Sequence, residues 1–324
     1  MTPGLQQMAL AAFWFSLMSV LVRTGAQQGL SVPQLVLARA AVTLVISLLW
    51  LRWAGVSLRG QRPALLLLRG LTGTLALACF YASLAILPLG EATIIQYTNP
   101  LLTALLAAWL LQERFESGQR LATAGCVLGL VLVARPAWLF GSDGPLIPWW
   151  ALAIALTGST MSALSYLLVR RLRTTDHPLV IVAWFPLVAF PLSIPAALGT
   201  WTPPTAAQWI LMVCIGIATQ LGQVHMTRAL HLETAARATG MSYLQIVLAM
   251  GWGVIWFGEP IRGSSLAGGT LIVLSTLGWT GLRAHQARRD RRLRAPKPDP
   301  QPDAGPSPPG PRPSGSSADG GPPG

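Results

Sequence analysis

Apolar residues come in long runs along this chain, each closed by a short polar or Gly/Pro-rich stretch. Ten runs can be marked, at about 5–22, 34–53, 64–87, 91–111, 121–135, 147–169, 179–199, 207–228, 234–257 and 265–283. A helix of about 20 apolar residues crosses ~30 Å of hydrocarbon. It also satisfies its own backbone donors and acceptors, as lipid demands. The breaks carry turn signals: Pro63, Pro88-Leu89-Gly90, Gly144-Pro145, Pro203-Pro204 and Gly258-Glu259-Pro260. The pattern therefore predicts an all-α, polytopic membrane protein with ten transmembrane helices.

The runs are not ten independent solutions. Residues 84–113 return when the numbering is shifted by 146: Leu84 becomes Leu230, Ala92 becomes Ala238, Thr93 becomes Thr239, Tyr97 becomes Tyr243 and Glu113 becomes Glu259. A polar island, Gln96-Tyr97-Thr98-Asn99-Pro100, sits inside the fourth run, and Ser242, Tyr243 and Gln245 occupy the ninth. Five spans separate a residue from its mate. Five is odd, so the copies enter the membrane in opposite senses. The expectation is two inverted five-helix repeats, residues 1–142 and 143–284, with the polar islands meeting near mid-depth, an arrangement suited to alternating access.

Composition agrees and removes one alternative. Only 10% of the residues are charged and 52% are apolar, against about 25% charged in soluble domains. The net charge of +12 would suggest nucleic acid in a soluble protein. With the N-terminus placed inside, however, the loops and tail on that side collect 19 of the 23 basic residues, and the opposite side only Arg23, Arg135 and Arg262. That bias predicts cytoplasmic N- and C-termini in the cell inner membrane, with no nucleic acid partner. Residues 285–324 continue a basic segment that suits anionic membrane lipids and then turn Pro/Gly-rich, as a disordered cytoplasmic tail would. Cys79, Cys126 and Cys214 all fall inside apolar runs and read as small buried side chains.

Polar groups inside the runs are the candidates for chemistry. A charge at the centre of a span costs roughly 2.5–3.5 kcal/mol on insertion scales, so Arg39 is a candidate partner for an anionic substrate group or for a carboxylate such as Glu91. Arg69, equally far from its end of a span, reads as an arginine snorkelling to the headgroups. Tyr97, Asn99 and Gln96 in the first half and Tyr243 and Gln245 in the second are the substrate-binding candidates, since amides and phenols in lipid seek each other or a ligand. Tyr81, Trp14 and Gln223 are expected to complete the lining, with Ser16, Tyr166 and Gln220 nearby. Glu113 and Glu259 end long apolar helices, where a carboxylate opposes the dipole, so each needs a holding group; Arg114, Arg120 and Arg262 are near in sequence. Gly125 and Gly129 form a GxxxG that predicts close helix packing. No acid pair, phosphate-cradling loop or nucleophile–base grouping appears, so the chain does not read as an enzyme and calls for no cofactor or metal.

Several stretches together resemble a known family. Tyr81–Glu91, YASLAILPLGE, is followed by Asn99-Pro100 and Leu110–Glu113; the second half has Arg228-Ala229-Leu230, Tyr243 and Gly258-Glu259-Pro260. These resemble the drug/metabolite transporter superfamily, specifically its EamA-type group, over about residues 5–284. The resemblance implies ten helices in two inverted halves and secondary transport of a small organic solute; members carry amino acids, nucleotide sugars, purines, riboflavin, S-adenosylmethionine or drugs. Related small multidrug exporters use a glutamate in the first span for proton exchange. The first span here, LQQMALAAFWFSLMSVLV, has none. Exchange or facilitated diffusion of a polar metabolite, anionic or zwitterionic, is therefore favoured over drug/proton antiport, with a monomer sufficient. A non-transporting receptor or assembly factor is the competing reading, and the paired polar islands argue against it.

Overall fold

Helices begin where the sequence supplies a start signal. Proline occupies the first turn of α1 (Pro3–Gln27), α2 (Val32–Trp53) and α3 (Pro63–Ile86), where its missing N–H costs nothing. Ser31 and Gln34 close a reciprocal capping box at the head of α2. In chain order follow α4 (Leu89–Gln96), α5 (Asn99–Leu110), α6 (Ser117–Ala134), α7 (Trp149–Leu172), α8 (Pro178–Gly199), α9 (Ala206–Leu232), α10 (Leu244–Phe257) and α11 (Gly263–Ser275). The computed structural model describes residues 2–110, 117–135, 147–172, 174–232, 241–275 and 277–278; these contain no strand. Glu113, Arg114, Glu116, Arg237 and the tail lie outside the described residues. Among the described residues, six helices, α1 to α3 and α7 to α9, are long and apolar enough to cross a membrane. The chain is all-α and polytopic, as the pattern predicts.

The fourth span differs from expectation. It is two helices, α4 and α5, with Tyr97 and Thr98 in a turn between them. Proline at position 100 has no N–H to give the Gln96 carbonyl, and Ser159 Oγ on α7 reaches that carbonyl instead, at 3.3 Å. Thr98 turns its own hydroxyl back to the Ile95 carbonyl, 2.7 Å away. The Thr98 amide also reaches the Ile95 carbonyl, at 3.1 Å, so hydroxyls and a tightened backbone turn together replace the lost helical bonds, as broken helices at membrane depth require.

Packing repeats the doubling seen in the sequence. α1 lies along α9 and α3 along α7, while α2 faces α8 and α4 faces α10. With α1 equivalent to α7 and α3 to α9, the first two contacts are one contact seen twice. The α2–α8 contact joins a helix to its own equivalent, whereas α4 packs on α10, the equivalent of its chain neighbour α5. Details follow the same rule. A Cβ on Gly70 would come within 2.6 Å of Val188 Cβ, and a Cβ on Gly216 would meet Val42 in the same way; both glycines and both valines are 146 apart. Under a two-fold operation a residue touches its own equivalent only on the axis. Among the described residues such contacts join Arg39 with Phe185, Tyr97 with Tyr243 and Cys126 with Ile272. They string the axis between α2 and α8, between the Tyr97 turn and the head of α10, and between α6 and α11.

The GxxxG of α6 packs as its spacing predicts. Gly129 lies against the Gly268 backbone and Ile272, and Gly125 against Ser275. At one end of the bundle Gln34 bonds the Thr202 carbonyl at 2.7 Å and Thr200 bonds Ser31 at 2.9 Å. At the other, Gln7 meets His225 at 2.7 Å, and Asp176 accepts from the Gln61 amide at 2.6 Å.

The Gly/Val contacts set up a stability test. Gly70→Ala and Gly216→Ala are expected to lower stability by about 1–3 kcal/mol through overpacking, despite alanine's helix preference of up to ~1 kcal/mol over glycine. Gly251→Ala in α10, where a Cβ meets nothing within 4 Å, is expected to gain instead. Thermal unfolding in detergent measures both, and Val188→Ala should restore the Gly70→Ala protein.

Candidate functional site

Tyr97 stands at the break between α4 and α5 and meets Tyr243, the residue just before α10. Their ring centroids are 5.3 Å apart and tilted by 48°. The Tyr97 hydroxyl lies 2.9 Å from the Ser242 carbonyl and 2.9 Å from Gln245 Oε1. One proton cannot serve two acceptors fully; turning the Gln245 amide lets its NH2 donate to the same oxygen. Gln96 Nε2 donates to Ser162 Oγ on α7 at 2.9 Å, and Thr98 and Ser159 share a hydroxyl contact at 2.9 Å. Asn99 opens α5 half-buried, and its side-chain amide has no hydrogen bond among the described residues. Of the residues named from sequence, Tyr97, Gln96, Tyr243 and Gln245 thus form one cluster, with Asn99 beside it.

A second cluster lies between α2, α3 and α8. The Arg39 guanidinium sits 5.6 Å from the Tyr81 ring centroid and 5.7 Å from that of Phe185. Tyr81 is fully buried, and its hydroxyl, without a hydrogen bond, faces Arg39 and Thr219. Arg69 joins them, 4.9 Å over the same Phe185 ring. This corrects its reading as a snorkelling side chain. Its Nη1 lies 2.6 Å from where a Cβ on Gly73 would stand, so the side chain runs one turn further from the Pro63 end, away from the headgroups. Tyr166 on α7 is an electrostatic neighbour of both Arg69 and Tyr97. Tyr166 is 50% exposed.

Trp14 packs into the core from α1 with its ring edge-on to Phe13 at 5.5 Å, and Gln223 lies half-buried on α9. No hydrogen bond among the described residues ties either to the two clusters. Phe185 and Ser162 went unnamed in the sequence, although each is the 146-shifted mate of a named residue, Arg39 and Ser16.

The end of the bundle where α3 passes into α4 is closed by two ion pairs. Glu91 Oε1 takes Arg262 Nη1 at 2.9 Å and Ser265 Oγ at 2.9 Å. The alternative partner suggested for Glu91, Arg39, is engaged elsewhere, because α11 rather than α2 brings the base to α4. Glu259 meets Arg23 Nη2 at 2.5 Å, a charge contact with poor hydrogen-bond geometry, and its Oε2 accepts from the Leu89 amide at 2.8 Å. Arg262 is therefore not the group that holds Glu259. Arg23 also bonds the Leu84 carbonyl at 3.0 Å and the Leu87 carbonyl, and lies over Phe257. The chain leaves α10 through Gly258 at φ +64, a left-handed conformation natural to glycine. That turn swings Glu259 back over Gly253, where a Cβ would come within 2.7 Å of its carboxylate. Glu259 so escapes the unfavourable end of its own helix and caps the favourable end of α4.

Comparisons with known proteins agree with this architecture. The EamA-like transporter family matches the chain twice, over residues 2–135 and 149–280. A pseudopaline exporter of Pseudomonas aeruginosa is 31% identical over 275 residues, covering 85% of this chain and 94% of its own. Human solute carrier family 35 member G1 is 26% identical, covering 85% and 78%. A riboflavin transporter of Vibrio cholerae is 24% identical, covering 82% and 89%. A crystal structure superposes with a TM-score of 0.57 at 22% identity, over 87% of this chain and 99% of that one, a likeness of fold.

Proposed function

Since the chain belongs to the EamA-like transporter family, and is a multi-pass membrane transporter rather than an enzyme, we propose that it carries a small polar organic metabolite by alternating access around the Tyr97–Tyr243 contact. The carrying observation is that a broken span and the start of α10 meet as repeat mates on a two-fold axis, with amides and hydroxyls gathered around them. A site on such an axis is reachable from both faces by rocking the surrounding helices. The named relatives, an exporter of pseudopaline and a transporter of riboflavin, support an organic solute.

The closed end is the outer gate in this reading. Basic residues then lie on the cytoplasmic side with both termini, and the membrane is the cell inner membrane. Residues 1–142 and 143–284 form the two repeats, and residues 285–324 form a tail at the lipid surface. Ten spans complete the site within a monomer. The first span lacks a carboxylate, and Glu91 is committed to Arg262 and Ser265, which favours exchange or facilitated diffusion over proton antiport.

Counterflow of a labelled metabolite panel in proteoliposomes tests the proposal. A solute is expected to exchange without a proton gradient, and Tyr97→Ala with Asn99→Ala to reduce its exchange at least tenfold. Full activity in that double variant would remove the site. Transport that always needs a proton gradient, and collapses in Glu91→Gln, would remove the coupling mode.

A further inference from the structure

Two arginines pack against one ring inside the bundle, and no carboxylate among the described residues balances them. Arg39 is 7% exposed, and the Nε atoms of Arg39 and Arg69 are buried without a hydrogen bond. The described carboxylates are all engaged elsewhere: Glu91 with Arg262, Glu259 with Arg23, and Asp176 with Gln61 and Thr175. The shared Phe185 ring attracts both cations but carries no net charge, so no described group compensates either positive charge.

Neither arginine takes the usual way out. Arg39 touches its own repeat mate, Phe185, and therefore lies on the two-fold axis. An in-plane axis relating inverted repeats runs at mid-depth, far from either headgroup layer. Arg69 is long enough to reach a membrane surface, and helical side chains lean toward the N-terminus, here the surface end of α3. It runs the opposite way, through the space left by Gly73. A fold that holds two unbalanced charges in this position has a use for them.

We infer that Arg39 and Arg69 are the anion-holding half of the site, binding an organic acid through its carboxylates; this rests on the transport reading above and narrows its substrate class. Planar guanidinium forks match carboxylates geometrically. Tyr166, an electrostatic neighbour of both Arg69 and Tyr97, links the cationic pair to the amide and phenol cluster. A solute with carboxylates at one end and hydrogen-bonding groups at the other spans both.

Thermal unfolding of the purified full chain in neutral detergent tests the inference. Succinate, glutarate and citrate are expected to raise the transition, and uncharged succinamide is not. Inorganic phosphate and added phosphatidylglycerol are expected to leave it unmoved; equal shifts from either would reassign the pair to phosphate chemistry and overturn the organic acid. Arg39→Met and Arg69→Met should each abolish the carboxylate shift. Each should also raise the ligand-free transition by about 3 °C, because an unbalanced charge has left the interior. A fall in ligand-free stability in both variants would mark the arginines as structural, and carboxylate shifts that survive in both would place binding elsewhere; either overturns the inference. Counterflow separates it from the transport reading. Solute exchange that persists in both variants leaves transport standing and removes the organic acid. Carboxylate shifts without exchange of any solute leave the anion site standing and remove transport.

Discussion

Glu259→Ala is expected to destabilise the protein by roughly 3 kcal/mol and to open the end of the bundle where α3, α4 and α10 meet. The loss is larger than one ion pair at a surface, where the median is about 0–1 kcal/mol. Arg23 and Glu259 keep only 13% and 14% of their side-chain surface exposed, and removing one partner leaves the other charge poorly solvated. Glu259 also supplies the acceptor for the Leu89 amide at the head of α4, an N-terminal donor with no partner in its own helix. Deleting Arg23 as well therefore restores only part of the stability, since that amide stays unpaired. A cysteine introduced at Pro88 or Ile261 should react faster with a membrane-impermeant maleimide in Glu259→Ala than in the parent. Equal reaction rates would show that the pair does not hold this end shut.

Glu91→Leu is expected to cost a similar amount, about 3–4 kcal/mol, but with a different remedy. Its side chain is 6% exposed and its ion partner is Arg262, 18% exposed. Leucine leaves the guanidinium without a counter-charge and Ser265 without its acceptor. Replacing a whole buried pair by apolar residues is often neutral, so Glu91→Leu combined with Arg262→Met should recover most of the loss. The double-variant cycle by thermal unfolding measures this, and additive losses would show that the two residues act independently. The contrast between the two glutamates is itself informative. Glu91 is matched by side chains that can be replaced, whereas Glu259 is matched partly by a backbone amide that cannot.

The spans and their duplication could be read from the residues because lipid leaves so few options. Apolar runs must become helices, and an odd number of helices between copies must invert them. The meeting of Tyr97 with Tyr243 follows from the same arithmetic. Direction and partner choice did not follow. The Arg69 side chain turns inward because Gly73 leaves a gap and Phe185 offers a face, and neither fact is local to position 69. Arg262 finds Glu91 across 171 residues because α4 and α11 come together at one end. Chain proximity had suggested Arg262 for Glu259, which instead takes Arg23 from α1. The break at Tyr97–Thr98 was half-visible: Pro100 announced a missing donor, but the hydroxyls of Thr98 and Ser159 were needed to turn that into two helices.

The three contacts between repeat mates carry a consequence for motion. If the inverted halves exchange their shapes, as alternating access would require, every off-axis distance takes the value its two-fold mate had. Points on the axis map onto themselves. The spans between Arg39 and Phe185, Tyr97 and Tyr243, and Cys126 and Ile272 would then be the stationary pivots of such a cycle. Cargo held beside the first two would stay where it is while the doors on either side trade places.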